Sequence, residues 1–449
     1  MRPGDRVTHA RHGPGTVEVV RTDGRVSVRF DAARELPWTV PAHELVVDGA
    51  EMPSARAIRV LRHVPPQLPL DAEHAKLRQV IEALRLGVVP ASHLHEYTVG
   101  REDAVRKARE LLRARQGMSL VFGDYGAGKT HFLELVEQEA LEHGFVTSRV
   151  TLDQHETPLS HPQRLWRAIA GALRYPGTVR RGLLPLLECL EDDADHFHPN
   201  GRRFHRFLTP VLWAIRRKRN DLLEDVLLDY IEGQPVDAEQ VNCMLRRARW
   251  SGPRLLALPD YRTYGRVYAY ILGGVATWAA DAGFTGACLL FDEAEQVDTF
   301  DRRRREFAYE VICHYAAASL PKKELLFDPE ELYRGGQEVH RQLPLRFTAS
   351  QPLVVFVALT PEPEIQLMCS RLFRHDNAIE LSPLSPRSRG KLVGKVVDLY
   401  RRAYGLEQPP EPHLERPPSW YESPRHLVRE LVAALDRERY QSLASRETA

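Results

Sequence analysis

The sequence is poor in cysteine and has no long apolar segment. Its 449 residues include five cysteines, which are scattered and form no C-x-x-C pair. Because such a set suits neither a disulfide framework nor a zinc site, we interpret them as buried thiols in a reducing compartment. No apolar run approaches the ~18 residues of a membrane helix, and the charged, strand-like N-terminus is unlike a signal peptide. We therefore expect a cytoplasmic protein that does not contact a membrane.

The chain also lacks a large net charge of either sign. Its 62 basic and 61 acidic residues leave a formal charge of +1, so no overall field draws it to nucleic acid. Any basic surface must therefore be local. The length predicts two or three domains with ample core.

The strongest motif is the segment at residues 123–130, GDYGAGKT, which stands between a short apolar run and an amphipathic helical pattern. A strand–G-x-x-x-x-G-K-[ST]–helix arrangement aims backbone N–H groups and a helix N-terminus at phosphates. Lys129 is predicted to reach the β- and γ-phosphates, and Thr130 to bind Mg²⁺. A glycine-rich turn without a ligand is the alternative, and the flanking elements disfavour it. The predicted nucleotide-binding residues are Gly123, Asp124, Tyr125, Gly126, Ala127, Gly128, Lys129, Thr130 and His131.

Two later apolar runs end in polar side chains. Residues 286–295, GACLLFDEAE, predict a buried parallel strand that delivers two carboxylates at its C-terminal edge. Asp292 is predicted to hold Mg²⁺ through water, and Glu293 to polarise an attacking water. Residues 352–360 predict a further buried strand that ends in Thr360. Thr360 could cap the helix that follows it, and such a cap is compatible with a contact between Thr360 and a ligand.

Residues 1–49 are predicted to form a separate small β unit. The dipeptide Asp23-Gly24 predicts a hairpin between the last two of three β-forming segments. Those segments are residues 6–9, 15–20 and 25–30. Residues 50–71 are rich in proline and are interpreted as a linker.

The pattern G-D-R-V-x-H-x-x-H-G-x-G-x-V in this unit resembles the small Tudor-like barrels of UvrD-type helicases and CarD-like proteins. Such barrels usually dock a protein partner, so the resemblance implies a partner for residues 1–49. A plain barrel without a partner is the alternative.

The segment at about residues 160–265 is predicted to form an inserted helical subdomain, because apolar residues recur there at helical spacing. Basic clusters lie beside Trp213 and Trp250, an arrangement that suits a surface following nucleic-acid phosphates and stacking on bases. Solvated helix faces paired with local acidic residues are the alternative. The clusters are Arg202-Arg203, Arg216-Arg217-Lys218-Arg219 and Arg246-Arg247-x-Arg249.

The order V-G-R-E, G-D-Y-G-A-G-K-T, F-D-E-A-E, A-L-T-P, S-R-L, S-P-R-H-L-V-R-E resembles AAA+ ATPases of the origin-recognition and STAND-like kind. The resemblance implies a P-loop α/β core at residues 72–384 and a helical lid at 385–449. It implies that Gly100 and Arg101 lie near the adenine and that Thr360 contacts the γ-phosphate or water. Arg371 would reach the γ-phosphate of a neighbouring subunit, with Arg374 as the alternative, and Arg425 would sense it from the lid.

More narrowly, the chain resembles the ATP-binding proteins of BREX-type phage-defence systems. The cues are L-R-L-G-V-V-P ahead of V-G-R-E, Y-G-A-G-K-T-H-F-L, G-x-x-L-L-F-D-E-A-E and S-P-R-H-L-V-R. This resemblance implies a protein partner, such as a helicase or another defence component, and contact with DNA. The small N-terminal unit departs from the minimal form of that family.

The leading hypothesis is an ATPase that uses ATP and Mg²⁺, with a homo-oligomer as one candidate assembly. Its nucleotide state would act on DNA or on a partner protein. Two alternatives remain open: a slowly hydrolysing STAND-like switch, and a helicase-loading or adaptor scaffold that recruits its partner through residues 1–49.

Overall fold

In the computed structural model of the protein, the chain divides into two compact units, Met1–Pro69 and Leu70–Ala449. The structure describes residues 4–9, 13–20, 25–31, 38–41, 45–47, 72–90, 92–191, 193–217, 221–332, 343–362, 378–421 and 423–447. The expected linker at residues 50–71 lies outside these ranges.

The first unit contains an antiparallel sheet of five strands in the order β4-β3-β2-β1-β5. The strands are β1 Arg6–His9, β2 Gly13–Val20, β3 Arg25–Phe30, β4 Trp38–Pro41 and β5 Leu45–Val47. As the hairpin prediction requires, β2 and β3 pair antiparallel, with Val17 opposite Val28; the turn itself lies outside the described residues. Among the described strands β4 and β5 form the two edges, so closure into a barrel stays a prediction. The unit has its own apolar core of Val7, Val17, Val26, Val28, Phe30 and Val40.

The second unit is built on a parallel sheet of five strands, which confirms a mixed α/β fold. Its strand order is β10-β6-β9-β8-β7, and all of its pairs are parallel. The strands are β6 Gly117–Phe122, β7 Val146–Thr151, β8 Ala287–Asp292, β9 Leu353–Leu359 and β10 Ala378–Glu380. Strands β8 and β9 are buried along their whole length, as their unbroken apolar runs predict. Since parallel strands share one carboxyl edge, the residues that follow β6, β8 and β9 are brought together.

Helices cover both faces of this sheet. On one face α3 Glu102–Ala114 and α4 Lys129–Glu142 share a core with Cys288, Leu290, Val354 and Phe356. On the other face Phe291 stacks on Tyr315 of α12 Arg302–Ser319, and α12 packs against α11 Gly265–Asp281.

Between β7 and α11 the described chain forms six α-helices joined by long irregular segments, and the presence of helices there agrees with the periodicity of the sequence. These helices are α5 Pro162–Gly171, α6 Leu184–Cys189, α7 Ala194–Phe197, α8 Leu208–Arg217, α9 Asp221–Ile231 and α10 Ala238–Arg247. Helix α5 packs on β7 and α11, whereas α6, α7, α9 and α10 pack against α8 or against one another. The inserted helices therefore form a layer of their own beside the sheet.

A three-helix bundle stands at the carboxyl edge of the sheet. It consists of α1 Ala72–Leu86, α13 Pro386–Tyr404 and α14 Pro424–Glu447, with the short helix α2 Leu94–Tyr97 beside it. Arg85 of α1 donates two hydrogen bonds, of 2.9 and 3.0 Å, to Asp436 of α14, and Tyr400 donates one of 2.7 Å to the same carboxylate. The helices expected to form the lid are thus completed by α1, which lies some 300 residues earlier in the chain. The boundary at residues 384 and 385 stays a prediction.

The cysteines of the described residues differ in their exposure. Cys288 and Cys313 are buried, but Cys189 and Cys243 are exposed, so the expectation of five buried thiols was wrong. The reason is positional: Cys189 ends the short helix α6, and Cys243 lies on the outer face of α10, opposite the buried Val241 and Leu245. Cys369 is outside the described residues. None of the described helices is long and apolar enough to cross a membrane.

Candidate functional site

The glycine-rich loop at residues 123–130 connects β6 to α4 at the carboxyl edge of the sheet. Gly126 and Gly128 have φ angles of 78° and 96°, in the left-handed region that favours glycine. Helix α4 begins at Lys129 with no side-chain cap and no acidic residue in its first turn. Its first N–H groups are therefore available to an anion, which the partial positive charge of the helix N-terminus also favours.

Lys129 lies deep in this edge, with only 7% of its side chain exposed. Its Nζ donates to the carbonyl oxygen of Gly123 and to the hydroxyl of Thr360, both at 3.0 Å. The same ammonium lies 3.2 Å from Oε1 of Glu295, which accepts a hydrogen bond of 2.8 Å from Thr360. The glycine-rich loop, Glu295 and Thr360, which are distant from one another in sequence, therefore all contact the Lys129 ammonium.

Asp292 and Glu293 stand at the end of β8, as the sequence predicts. The Asp292 carboxylate is buried and accepts a 3.0 Å hydrogen bond from the backbone N–H of Glu293. Burial raises the pKa of the Glu293 carboxyl, and repulsion from Glu295 and Asp292 raises it further, while Lys129 and Arg425 act in the opposite direction. Glu293 also has a left-handed backbone, with φ 59° and ψ 33°. Such a conformation is uncommon for a residue other than glycine, and it is enriched at functional sites.

A cleft opens beside the loop and encloses about 1060 Å³, including space open to solvent. One end of the cleft is polar and contains the loop, Lys129, Thr130, Glu293, Glu295 and Arg425. The other end is mostly apolar and is lined by Leu84, Val88, Val89, Tyr97, Val99, Leu384, Leu392 and Val428. The cleft can thus hold a ligand with a flat apolar part and an anionic part.

Arg101 lines this cleft but directs its hydrogen bonds at the protein backbone. Its guanidinium donates to the carbonyl oxygens of Ala127 at 2.6 Å and Ser382 at 2.7 Å. Burial lowers the pKa of Arg101. Gly100 has a φ of 62° and lies so close to Ser388 of α13 that a Cβ there would be 3.0 Å from its hydroxyl oxygen. Both residues therefore connect the loop to the start of α13, and their contact with a ligand stays a prediction.

His131 connects the loop helix to the segment before α3. Its Nε2 lies 2.8 Å from the Thr98 hydroxyl, and that hydroxyl already donates to the carbonyl of Leu94 at 2.7 Å. The imidazole must therefore be the donor, which assigns the proton to Nε2. Burial lowers the pKa of His131 to about 4, so the ring is neutral near pH 7.

The bundle reaches the site through its helix α14. Arg425 lies in the first turn of α14 and lines the cleft, with its Cγ passing 3.3 Å from the position of a Cβ built on Gly87. A Cβ on Gly126 would lie 2.7 Å from the Cβ of Ser423, just before α14. The loop and the start of α14 are thus in direct contact.

The remaining predicted site residues are less central. Asp124 and Tyr125 are exposed on the loop, and Arg371 and Arg374 lie outside the described residues. Of the basic clusters, Arg203 pairs with Asp281 at 2.9 Å, and Arg216 donates to backbone carbonyls around the end of α6. Trp213 and Trp250 pack edge to face at 5.2 Å. The exposed arginines of the predicted clusters are Arg202, Arg217, Arg246, Arg247 and Arg249, and Lys218 and Arg219 lie outside the described residues. A basic surface at the insertion therefore stays a prediction.

Sequence reasoning gave Glu295 no role, although the structure places it on Lys129. The signal that could have drawn attention to it was the third carboxylate of D-E-A-E, directly after the predicted acidic pair. A short 3₁₀ helix, Ala294–Thr299, turns this side chain back toward the loop.

A protein-family model matches the first part of the second unit. Residues 73–187 match the family model described as BREX system ATP-binding protein BrxC/D, and no curated protein matches the chain. The matched stretch runs from α1 to α6 and includes the glycine-rich loop and α4, but it ends before the carboxylates of β8. Over about a quarter of its length, the chain is therefore similar to the BREX system ATP-binding proteins.

Proposed function

We propose that this protein binds ATP with Mg²⁺ in the cleft and hydrolyses it, as an AAA+ ATPase of a BREX-type phage-defence system. The observation that carries the proposal is that Lys129, at the N-terminus of α4, and Glu293 line the same cleft. The similarity of residues 73–187 to ATP-binding proteins supports the choice of nucleotide.

In this proposal the two ends of the cleft divide the work of binding. The apolar end packs against the adenine, while the N–H groups of residues 126–130 and the Lys129 ammonium bind the phosphates. Thr130 and Asp292 would hold Mg²⁺, which neutralises phosphate charge when bound. The described residues contain no cluster of three His, Cys, Asp or Glu for a metal. The ion would thus depend on phosphate oxygens and water for its remaining ligands, as Mg²⁺ usually does.

Hydrolysis is assigned to Glu293 as the residue that orients water and accepts its proton. A carboxyl with a raised pKa is a stronger base than an ordinary one, which suits this role. Arg425 would place positive charge beside the phosphates from the bundle, and Thr360 would contact them from the end of β9. A neighbouring copy would contribute Arg371. Most of the catalysis would come from positioning and charge neutralisation.

The test is to measure ATP binding and steady-state hydrolysis by the purified full chain. Lys129→Ala should weaken ATP binding at least about tenfold, because it removes the charge that faces the phosphates. Glu293→Gln should retain binding and lower kcat by about 10²-fold or more. Glu407→Gln, an exposed carboxylate remote from the cleft, serves as the matched control and should change neither quantity. Hydrolysis that survives Glu293→Gln would refute the assigned role.

We further propose that nucleotide state acts on DNA or on a partner protein, such as a helicase or another defence component, in the cytoplasm. The exposed arginines of α8 and α10 support the DNA side, and the separate N-terminal unit supports the partner side. Turnover should then rise when DNA is added. ATP binding without measurable turnover, with or without DNA, would instead favour the slow switch or the adaptor scaffold.

A further inference from the structure

Glu295 contacts Lys129, the residue that is proposed to bind the phosphates. Its Oε1 is 3.2 Å from the Lys129 ammonium and accepts the Thr360 hydroxyl hydrogen. Its other oxygen, Oε2, is buried and has no hydrogen-bond partner. A half-satisfied buried carboxylate is costly, so its place here is maintained chiefly by the charge of Lys129.

The hydrogen-bond capacity of Lys129 is fully used by these contacts. An ammonium has three N–H donors, and the three acceptors are the Gly123 carbonyl, the Thr360 hydroxyl and the Glu295 carboxylate. A phosphate oxygen can be bound by Lys129 only if one of these acceptors is released. Glu295 is the one acceptor of the three that carries negative charge, and it would repel a phosphate at this distance.

We propose that Glu295 competes with the terminal phosphates of the nucleotide for Lys129, and that its release signals the triphosphate state. This inference rests on the proposed binding of ATP. Glu295 is a positioning residue in this scheme: it holds Lys129 and Thr360 in one closed network, and phosphate binding opens that network.

The network also provides a route for the signal. Glu295 lies on the 3₁₀ helix Ala294–Thr299, which packs on β9 and α12. The far end of this short helix is held by a 2.8 Å hydrogen bond from Gln154 to Thr299 and by Arg305, which donates to the carbonyl of Asp298 at 3.1 Å. Displacement of Glu295 would therefore change the contacts of the segment after β7 and of the start of α12.

The ATP affinity of Glu295 variants distinguishes competition from a purely structural ion pair, because the two roles predict opposite changes. If Glu295 only orients Lys129 for its ligand, removal of the carboxylate weakens ATP binding. If Glu295 competes, removal of its charge strengthens binding, and more for ATP than for ADP, because the γ-phosphate brings additional charge to the same place.

The experiment is a titration of the full chain with ATP, ADP and adenosine in the presence of Mg²⁺. Glu295→Gln keeps the shape and an acceptor for Thr360 but removes the charge. We expect the Kd for ATP to fall about tenfold, the Kd for ADP to fall less, and the Kd for adenosine to stay unchanged. Glu295→Ala should move the affinities in the same direction, which keeps the inference testable if one variant folds poorly. Glu407→Gln is again the control.

The outcomes separate this inference from the proposed function. Equal or weaker ATP binding by both Glu295 variants, with a wild type that binds ATP, would overturn the competition and leave the ATPase proposal standing. A wild-type protein that does not bind ATP, beside a Glu295→Gln variant that does, would support the competition in its strongest form. If neither the wild type nor any of the variants binds ATP, the proposed function is overturned and the inference with it.

Discussion

At the scale of single residues, the backbone of Glu293 is held in a conformation that is unfavourable for an L-amino acid. The left-handed conformation brings its side chain to the cleft directly after β8. An L-residue in this conformation loses about 1–2 kcal/mol relative to the ordinary helical region. The surrounding contacts, including the hydrogen bond from the Glu293 N–H to Asp292, keep the residue there.

We predict that Glu293→Gly is more stable than Glu293→Ala by about 1 kcal/mol, because only glycine adopts this backbone conformation without strain. Both variants lose the carboxylate equally, so the difference isolates the backbone term. It is measured as the free energy of unfolding in urea. At Glu306, an exposed position inside α12, the order should reverse, with alanine favoured over glycine by a similar amount. The same order at both positions would contradict the strain at Glu293.

At the scale of elements, the helical insertion depends on a histidine that must stay neutral. The His205 ring is completely buried and stacks on Tyr270 with ring centroids 4.5 Å apart. Its Nδ1 accepts from the N–H groups of Phe207 and Leu208 at 3.2 and 3.1 Å. Because a protonated ring would lose this acceptor and carry a buried charge, burial lowers the pKa of His205 to about 3.

We predict that this histidine makes the insertion sensitive to acid. The pKa of His205 is about 3 in the folded protein, against 6.5 for an ordinary histidine, so the unfolded chain takes up the proton first. Its contribution to stability is complete above pH 6.5 and is lost progressively as the pH falls toward 3, by a few kcal/mol in total. Urea midpoints followed by tryptophan fluorescence between pH 8 and 4 should show this loss, and His205→Gln should flatten it. The exposed His155→Gln should not change the slope.

At the scale of the whole molecule, the bundle beside the cleft is assembled from both ends of the second unit. Leu77, Val80, Ile81 and Leu84 of α1 are buried in one cluster with residues of α13 and α14. Each such side chain contributes about 1.5–3 kcal/mol when it is fully buried. Helix α1 thus stabilises a bundle whose other two helices follow the sheet in the chain.

We predict that two truncations that differ by only 17 residues behave differently. A protein lacking residues 1–69 should keep its thermal midpoint and its nucleotide affinity, because each unit has its own core. A protein lacking residues 1–86 should lose several kcal/mol of stability, since the apolar faces of α13 and α14 become exposed. Thermal unfolding and nucleotide titration check both. Equal stability of the two truncated proteins would mean that α1 does not support the bundle.

The local elements and the order of the motifs could be predicted from the amino-acid sequence. The apolar runs before the glycine-rich loop, before Asp292 and before Thr360 became β6, β8 and β9, because unbroken apolar runs of that length suit strands buried on both faces. The helical period predicted helices at about residues 160–265, and α5 to α10 lie within that range. These features depend on neighbours in the chain, so they can be predicted from the chain.

The pairing of distant charged side chains and the packing of distant apolar faces became visible only in the folded protein. Glu295, Thr360 and Lys129 are separated by up to 231 positions, and nothing in their local patterns pairs them. The apolar face of α1 showed that a partner was needed, but not that the partner was the bundle at the end of the chain. Arg101 likewise bound the Ala127 carbonyl. Periodicity specifies which face of an element is buried, while packing between distant segments selects what covers it.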